Sequence, residues 1–149
     1  MIHLKSTREI EIMARGGQLL AQTLELLRSE VRPGITTKAL DAIAEEFIRS
    51  HAGATAAFKG LYGFPGSVCI SVNEEIVHGI PSAKRVLKDG DIVSLDFGVK
   101  LDGFYTDSAI TVPVGEISAE DQRLLRVSKE ALDAGEAAAW LSRHIVVIS

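Results

Sequence analysis

The chain is nearly devoid of cysteine: Cys69 is the only one in 149 residues. No disulfide can form within it, which fits a reducing compartment. It also lacks an excess of positive charge. A net charge of −4 excludes a strong basic field for nucleic acid or an anionic membrane. Long apolar runs are missing too, and none approaches the roughly 20 residues of a membrane span. Lys5, Arg8, Glu9, Glu11 and Arg15 interrupt the first fifteen residues, so no secretory core forms there. There are no repeats, low-complexity tracts or linkers. These absences give the expectation of a cytoplasmic protein. What remains is ordinary: 46% hydrophobic and 24% charged residues, in a length that suits one domain with its own core.

Ser6 to Ser29 reads as an amphipathic helix. Ser6 and Glu9 make a capping box, and Ile10, Met13, Gly17, Leu20, Leu24 and Leu27 recur at helical spacing. The Gly16-Gly17 pair inside it suggests a close approach by another backbone. Arg32-Pro33-Gly34 is a turn. Thr36 caps a second helix over Thr37 to Ala52, with Gly53 expected just past its end. A Gly/Pro loop at Gly63-Phe64-Pro65-Gly66 precedes the β-type run Ser67–Val72. Ile76 to Pro81 is expected to stay extended until the proline. Ile92–Val99 and Phe104–Val112 are strands joined at Asp102-Gly103, a strong hairpin signal. Ser118 and Asp121 cap a third helix that runs to Ala139. The order predicts an α+β fold with an antiparallel sheet and flanking helices.

The hairpin carries the most informative residues. With a two-residue turn, Leu101 faces Phe104, Gly98 faces Asp107 and Asp96 faces Ala109. Asp96 and Asp107 then project from one face as diagonal neighbours, roughly 7–8 Å apart at their backbones. Two carboxylates on one face repel. Either one is protonated, or a cation sits between them, and hard divalent ions favour such oxygen ligands. The bland alternative pairs each aspartate with a lysine or arginine, or has it cap a backbone donor.

Two segments go further. LDFGVKLDGFYTDSA resembles the metal-binding hairpin of type I (bacterial-type) methionine aminopeptidases, and GFPGSVCISVNEEIVHGIP resembles their substrate loop. The resemblance runs from about Ser6 to about Ala139. It implies the N-terminal half of a pita-bread fold, in which two pseudo-symmetric halves surround two divalent ions (Co, Mn, Fe or Zn). Five side chains hold those ions in the family, in chain order Asp, Asp, His, Glu, Glu. Asp96 and Asp107 match the first two. His78 matches a catalytic histidine that contacts the substrate. Phe58, Leu61, Tyr62, Phe64 and Cys69 fall where the family lines its methionine pocket. The implied reaction removes the N-terminal methionine from nascent polypeptides.

The family's later histidine and glutamates have no counterpart here. His144 stands outside the pattern, and the segment 140–149 reads as an atypical tail after a half-domain over 1–139. By the resemblance, the chain alone is expected to be inactive or impaired. An uncovered sheet would also favour a homodimer. Two rivals stay open: a non-catalytic half-domain that serves as a protein interaction module, and another pita-bread hydrolase such as a prolidase. Bland readings stand beside individual residues as well. His78 alone would be a surface histidine, Cys69 a small buried hydrophobe, the three aromatics ordinary core, and His51 a solvated residue at an element end.

Overall fold

Capping sets where the first two helices begin. The Ser6 hydroxyl accepts the Glu9 N–H at 3.4 Å, and the Glu9 carboxylate accepts the Ser6 N–H at 2.7 Å. This reciprocal pair starts helix α1, Thr7–Glu30. The Thr36 hydroxyl accepts the Ala39 N–H at 3.1 Å and starts α2, Thr37–Arg49. Helix α2 ends before the expected Ala52. The Ser50 hydroxyl and the His51 ring both bond the Phe47 carbonyl, and the His51 ring tilts against Phe47 at 4.7 Å. His51 is therefore half-buried rather than simply solvated. Gly53, with φ +81°, serves the turn into the next strand instead of capping the helix.

The structure, a computed structural model, describes residues 4–142. The chain divides into two compact units, Met1–Glu116 and Ile117–Ser149. The first holds strands β1 (Ala54–Ala56), β2 (Val68–Val72), β3 (Ile92–Leu101) and β4 (Phe104–Pro113). All pairings are antiparallel. β3 is the hub: β4 pairs along one side, while β1 and β2 share the other. β1 is a strand that the sequence pattern did not reveal. The second unit contains α3, Ala119–Ser142. The Ser118 hydroxyl caps it, accepting from the Asp121 N–H at 3.0 Å. The helix continues past Ala139. The β-type run expected at Ile145–Ile148 lies outside the described residues.

Both α1 and α2 pack on one face of the sheet. Alternation along β3 sends Val93, Leu95, Phe97, Val99 and Leu101 into that core, where they meet Leu20, Leu24, Leu27, Leu40 and Ile48. The glycine pair in α1 divides. A Cβ on Gly16 would touch the Thr106 hydroxyl at 3.3 Å, whereas one on Gly17 would meet nothing within 4 Å. The close approach is thus by a β4 side chain, at one glycine only. Ile10 is 55% exposed, whereas Ile12 packs partly buried against the core and the buried positions of α1 begin at Gly16.

The segment Ile76–Pro81 is not the extended run expected. His78 adopts φ +61°, in the left-handed region, and this breaks the extension. Another feature fixes the chain upstream of β2. Asp41 is 1% exposed, and its carboxylate accepts the Ser67 N–H at 2.6 Å and the Val68 N–H at 3.1 Å. Lys38 completes the arrangement at 2.7 Å. Replacing Asp41 with alanine strands two buried N–H groups and should lower unfolding free energy by about 2–3 kcal/mol. Asp41→Asn, which keeps an acceptor oxygen, should lose less. Urea unfolding followed by circular dichroism measures both; an alanine effect under about 0.5 kcal/mol would be that of an ordinary surface site.

Candidate metal centre

The hairpin turn determines what meets what. Asp102 and Gly103 both take positive φ, +48° and +87°, as a two-residue turn between twisted strands requires. The register follows without a bulge: Leu101 opposite Phe104, Gly98 opposite Asp107, Asp96 opposite Ala109. The side chains of Ser94, Asp96 and Gly98 on β3 therefore belong to the face opposite the helices, as do Tyr105, Asp107, Ala109 and Thr111 on β4. Ser94 and Thr111 bond across this face at 2.9 Å.

Asp96 and Asp107 meet there within hydrogen-bonding reach. Burial first, then the Asp107 charge and hydrogen bond, push Asp96 up from 3.8 to about 6, while the charge of His78 pulls the other way. Among the described residues, neither aspartate joins an ion pair; the cations engage Asp41, Asp102, Asp133 and several glutamates instead. Lys100, on the same face, lies over the Tyr105 ring at 5.4 Å. The bland reading of each aspartate as one half of a salt bridge does not hold.

Several other candidates gather at the same place. Cys69 on β2 pairs with Asp96 on β3. Its thiol is pushed up to about 11 by burial and by the charges of both aspartates. It stays protonated at neutral pH and makes a poor nucleophile. Phe58 lies against Gly98: a Cβ there would stand 2.7 Å from the Phe58 ring, so only glycine lets the ring come so close to the acidic pair. His78 is exposed on the loop that returns past β2. Leu61 and Tyr62 sit on the short 3-10 turn Leu61–Gly63. They are 52% and 101% exposed, so Tyr62 packs on nothing in this state. Phe64, just beyond, is half-buried. The structure thus brings Asp96, Asp107, His78, Cys69 and Phe58 together and leaves Leu61 and Tyr62 outside any formed wall.

The donor atoms of the pair suit a hard divalent ion, and among the described residues no lysine or arginine pairs with either carboxylate. It supplies only part of a coordination shell. Among the described residues, no group of three or more His, Cys, Asp or Glu side chains is placed to hold a metal ion. Sequence reasoning missed Asp41, which fixes the start of β2 and hence Cys69. Its signal was an acid at the same helical face as Thr37, Ala44 and Ile48.

Known proteins resemble this chain in sequence and in fold. A methionine aminopeptidase of Clostridium perfringens is 52% identical over 149 residues, which is 100% of this chain and 59% of that protein. Methionine aminopeptidase 1 of Bacillus subtilis is 55% identical over 135 residues, 91% of this chain and 54% of its own length. The crystal structure of a Thermotoga maritima methionine aminopeptidase superposes with a TM-score of 0.86 at 39% identity, covering 90% of this chain and 53% of that one. The fold is therefore that of about half a pita-bread enzyme, and the chain spans about half the length of the curated relatives it matches. The alignment with the Clostridium protein runs beyond Ala139, where the resemblance had been expected to end. A family match over residues 11–144 points the same way: the chain belongs to metallopeptidase family M24.

Proposed function

We propose that this chain supplies the first two metal ligands of a methionine aminopeptidase site, which hydrolyses the peptide bond after an N-terminal methionine. The observation that carries the reading is the convergence of Asp96 and Asp107 on one face, with neither in an ion pair among the described residues. Asp96 and Asp107 would hold divalent ions, two in the complete site, drawn from Co, Mn, Fe or Zn. Bound there, the metal supplies Lewis acidity to the scissile carbonyl and to the attacking water. His78 donates or accepts a hydrogen bond at the substrate's reacting end. Phe58 and Cys69 offer an apolar wall for the methionine side chain, and Leu61, Tyr62 and Phe64 complete it when substrate orders their loop. The protonated thiol of Cys69 suits that passive role.

The chain alone would be inactive or impaired. Two carboxylates leave most coordination positions of a hard cation to water, and among the described residues no further acid joins them as a general base. Release of methionine from a Met-Ala-Ser peptide with added Mn²⁺ or Co²⁺ should be undetectable with this chain. Activity should return when the portion of the Clostridium relative beyond the aligned residues is supplied in trans. Asp96→Ala and Asp107→Ala should each abolish the restored activity. Silence of a stably associated complex would defeat the proposal.

The titration of Asp96 makes a second prediction. An acid raised from 3.8 to about 6 binds its proton more tightly in the folded state. Without metal, its contribution to stability is full below about pH 4 and is lost as pH rises through 6. A divalent ion must displace that proton, so metal binding strengthens with pH. Saturating Mn²⁺ should raise the melting temperature more at pH 7 than at pH 5, and not at all in Asp107→Ala. An equal rise at both pH values would argue against binding at the pair.

A second reading concerns the outer edge of β4. Among the described residues, its ten residues pair with β3 on one edge only. Beside that strand lies a groove of about 660 Å³, lined by Met13, Leu20, Leu24 and Ile110 on its apolar side. Long unpaired edges recruit other strands. The chain is expected to form a homodimer through the uncovered sheet, of which this edge is part. Light scattering should report twice the chain mass at micromolar concentration; a clean monomer removes the idea.

A further inference from the structure

The loop that carries His78 is anchored on either side of it, at Glu75 and at Gly79. After β2 the chain turns at Asn73, with φ +57°, and Glu75 accepts the Val72 N–H at 2.8 Å. It then comes back along β2. Ile76, Val77 and Ile80 are 88%, 62% and 60% exposed, so the residues around His78 are not held by packing. Gly79 between them is held. Its carbonyl accepts the Ile70 N–H at 2.9 Å, and its N–H donates to the Ser71 hydroxyl at 3.1 Å. The approach is so close that a Cβ on Gly79 would lie 2.0 Å from the Ile70 carbonyl oxygen. Only glycine fits there. Ser71 itself is 4% exposed and fixed in the sheet opposite Ser94. It lies two residues from Cys69 and so belongs to the same face as Asp96.

We infer that Ser71 is a positioning residue: through its bond to the Gly79 N–H it locks His78 in a left-handed backbone conformation beside the Asp96–Asp107 face. The logic is local. His78 precedes the clamped residue, and its φ of +61° is one that a free loop would abandon. Bonds at both the N–H and the carbonyl of Gly79 fix that residue, and the first of them holds the peptide between His78 and Gly79. The histidine then enters from a fixed direction, while the rest of the loop stays open to solvent. A serine is suited to this place. Its hydroxyl offers the Gly79 N–H an acceptor one residue along from the Ile70 N–H that holds the Gly79 carbonyl. The inference deepens the metallopeptidase reading, since the value of a fixed His78 rests on that site.

The test uses NMR on the whole chain with Ser71→Ala, Ser71→Thr and Ser71→Val. Threonine keeps the hydroxyl, and valine is its hydroxyl-free isostere. In Ser71→Ala and Ser71→Val the Gly79 amide should exchange roughly 5-fold faster or more, as loss of one hydrogen bond predicts. In Ser71→Thr it should exchange as in the parent. On titration with Mn²⁺, the His78 ring protons should broaden less in the alanine and valine variants than in the parent, while broadening at Ala109 stays the same. A merely structural role for Ser71 would alter both sites together. Unchanged Gly79 exchange in the valine variant, or His78 broadening equal to the parent's, overturns the inference. If the parent shows no Mn²⁺ broadening at Ala109, the metal reading itself fails, and the Gly79 exchange rates still decide whether Ser71 holds the loop.

Discussion

Two negative charges pressed together on one side of a β-hairpin need something between them. Asp96 and Asp107 are in that position because the turn at Asp102-Gly103 fixes a register in which neither strand bulges. A slip of one residue would turn Asp107 toward the helices and replace the pair with a buried, lone carboxylate. Among the described residues no lysine or arginine pairs with either carboxylate, and Asp96 answers by holding its proton to about pH 6. Protonation relieves the strain in acid. Near neutrality that remedy fades, and a doubly charged cation becomes the natural neutraliser. The other features of the site follow from this one conflict. The Cys69 thiol opposite is kept protonated by the same charges, and His78 is the nearby group whose charge favours ionised Asp96.

The opposite side of the same strands makes this tolerable. Alternate residues of β3 are wholly apolar and packed under α1 and α2; Phe97 and Val99 are fully buried between them. Fixed in that way, the strand cannot twist to separate its carboxylate from the one on β4. Helices α1 and α2 cover a single face, and the acidic pair stands on the other. Asp41 extends the same rigidity to the neighbouring strand, since its bonds to Ser67 and Val68 set the entry of β2 and so the place of Cys69.

What could be read from the sequence was what depends on near neighbours. The starts of α1, α2 and α3 follow from a hydroxyl and the backbone three residues on. The hairpin register follows from a two-residue turn and strict alternation, so the shared face of Asp96 and Asp107 is legible in the order of residues alone. The parts that stayed hidden depend on distant partners. β1 has three residues and exists only because Val99 to Leu101 lie beside it. The left-handed His78 is a product of Gly79 meeting Ile70 and Ser71. The end of α2 is set by His51 turning back on Phe47, a contact that outweighs the glycine signal at Gly53. The resemblance to methionine aminopeptidases supplied what spacing could not, namely why a histidine in an exposed loop belongs with two aspartates on a sheet.

The elements divide the work by stiffness. The carboxylates stand on paired strands, where the ladder of hydrogen bonds holds position closely, and metal-binding groups demand that precision. The groups assigned to substrate stand on loops: Leu61 and Tyr62 in the open, Phe58 resting on Gly98, His78 tethered through one glycine. Loops on a rigid scaffold can close on a ligand without disturbing what holds the metal. The same division explains why two aspartates can be fully formed and still incomplete. In the proposed site their oxygens would fill only part of a hard cation's shell, so the strands would predefine where an ion sits before they could hold it tightly. Affinity would then come from ligands added to a place already chosen by the hairpin.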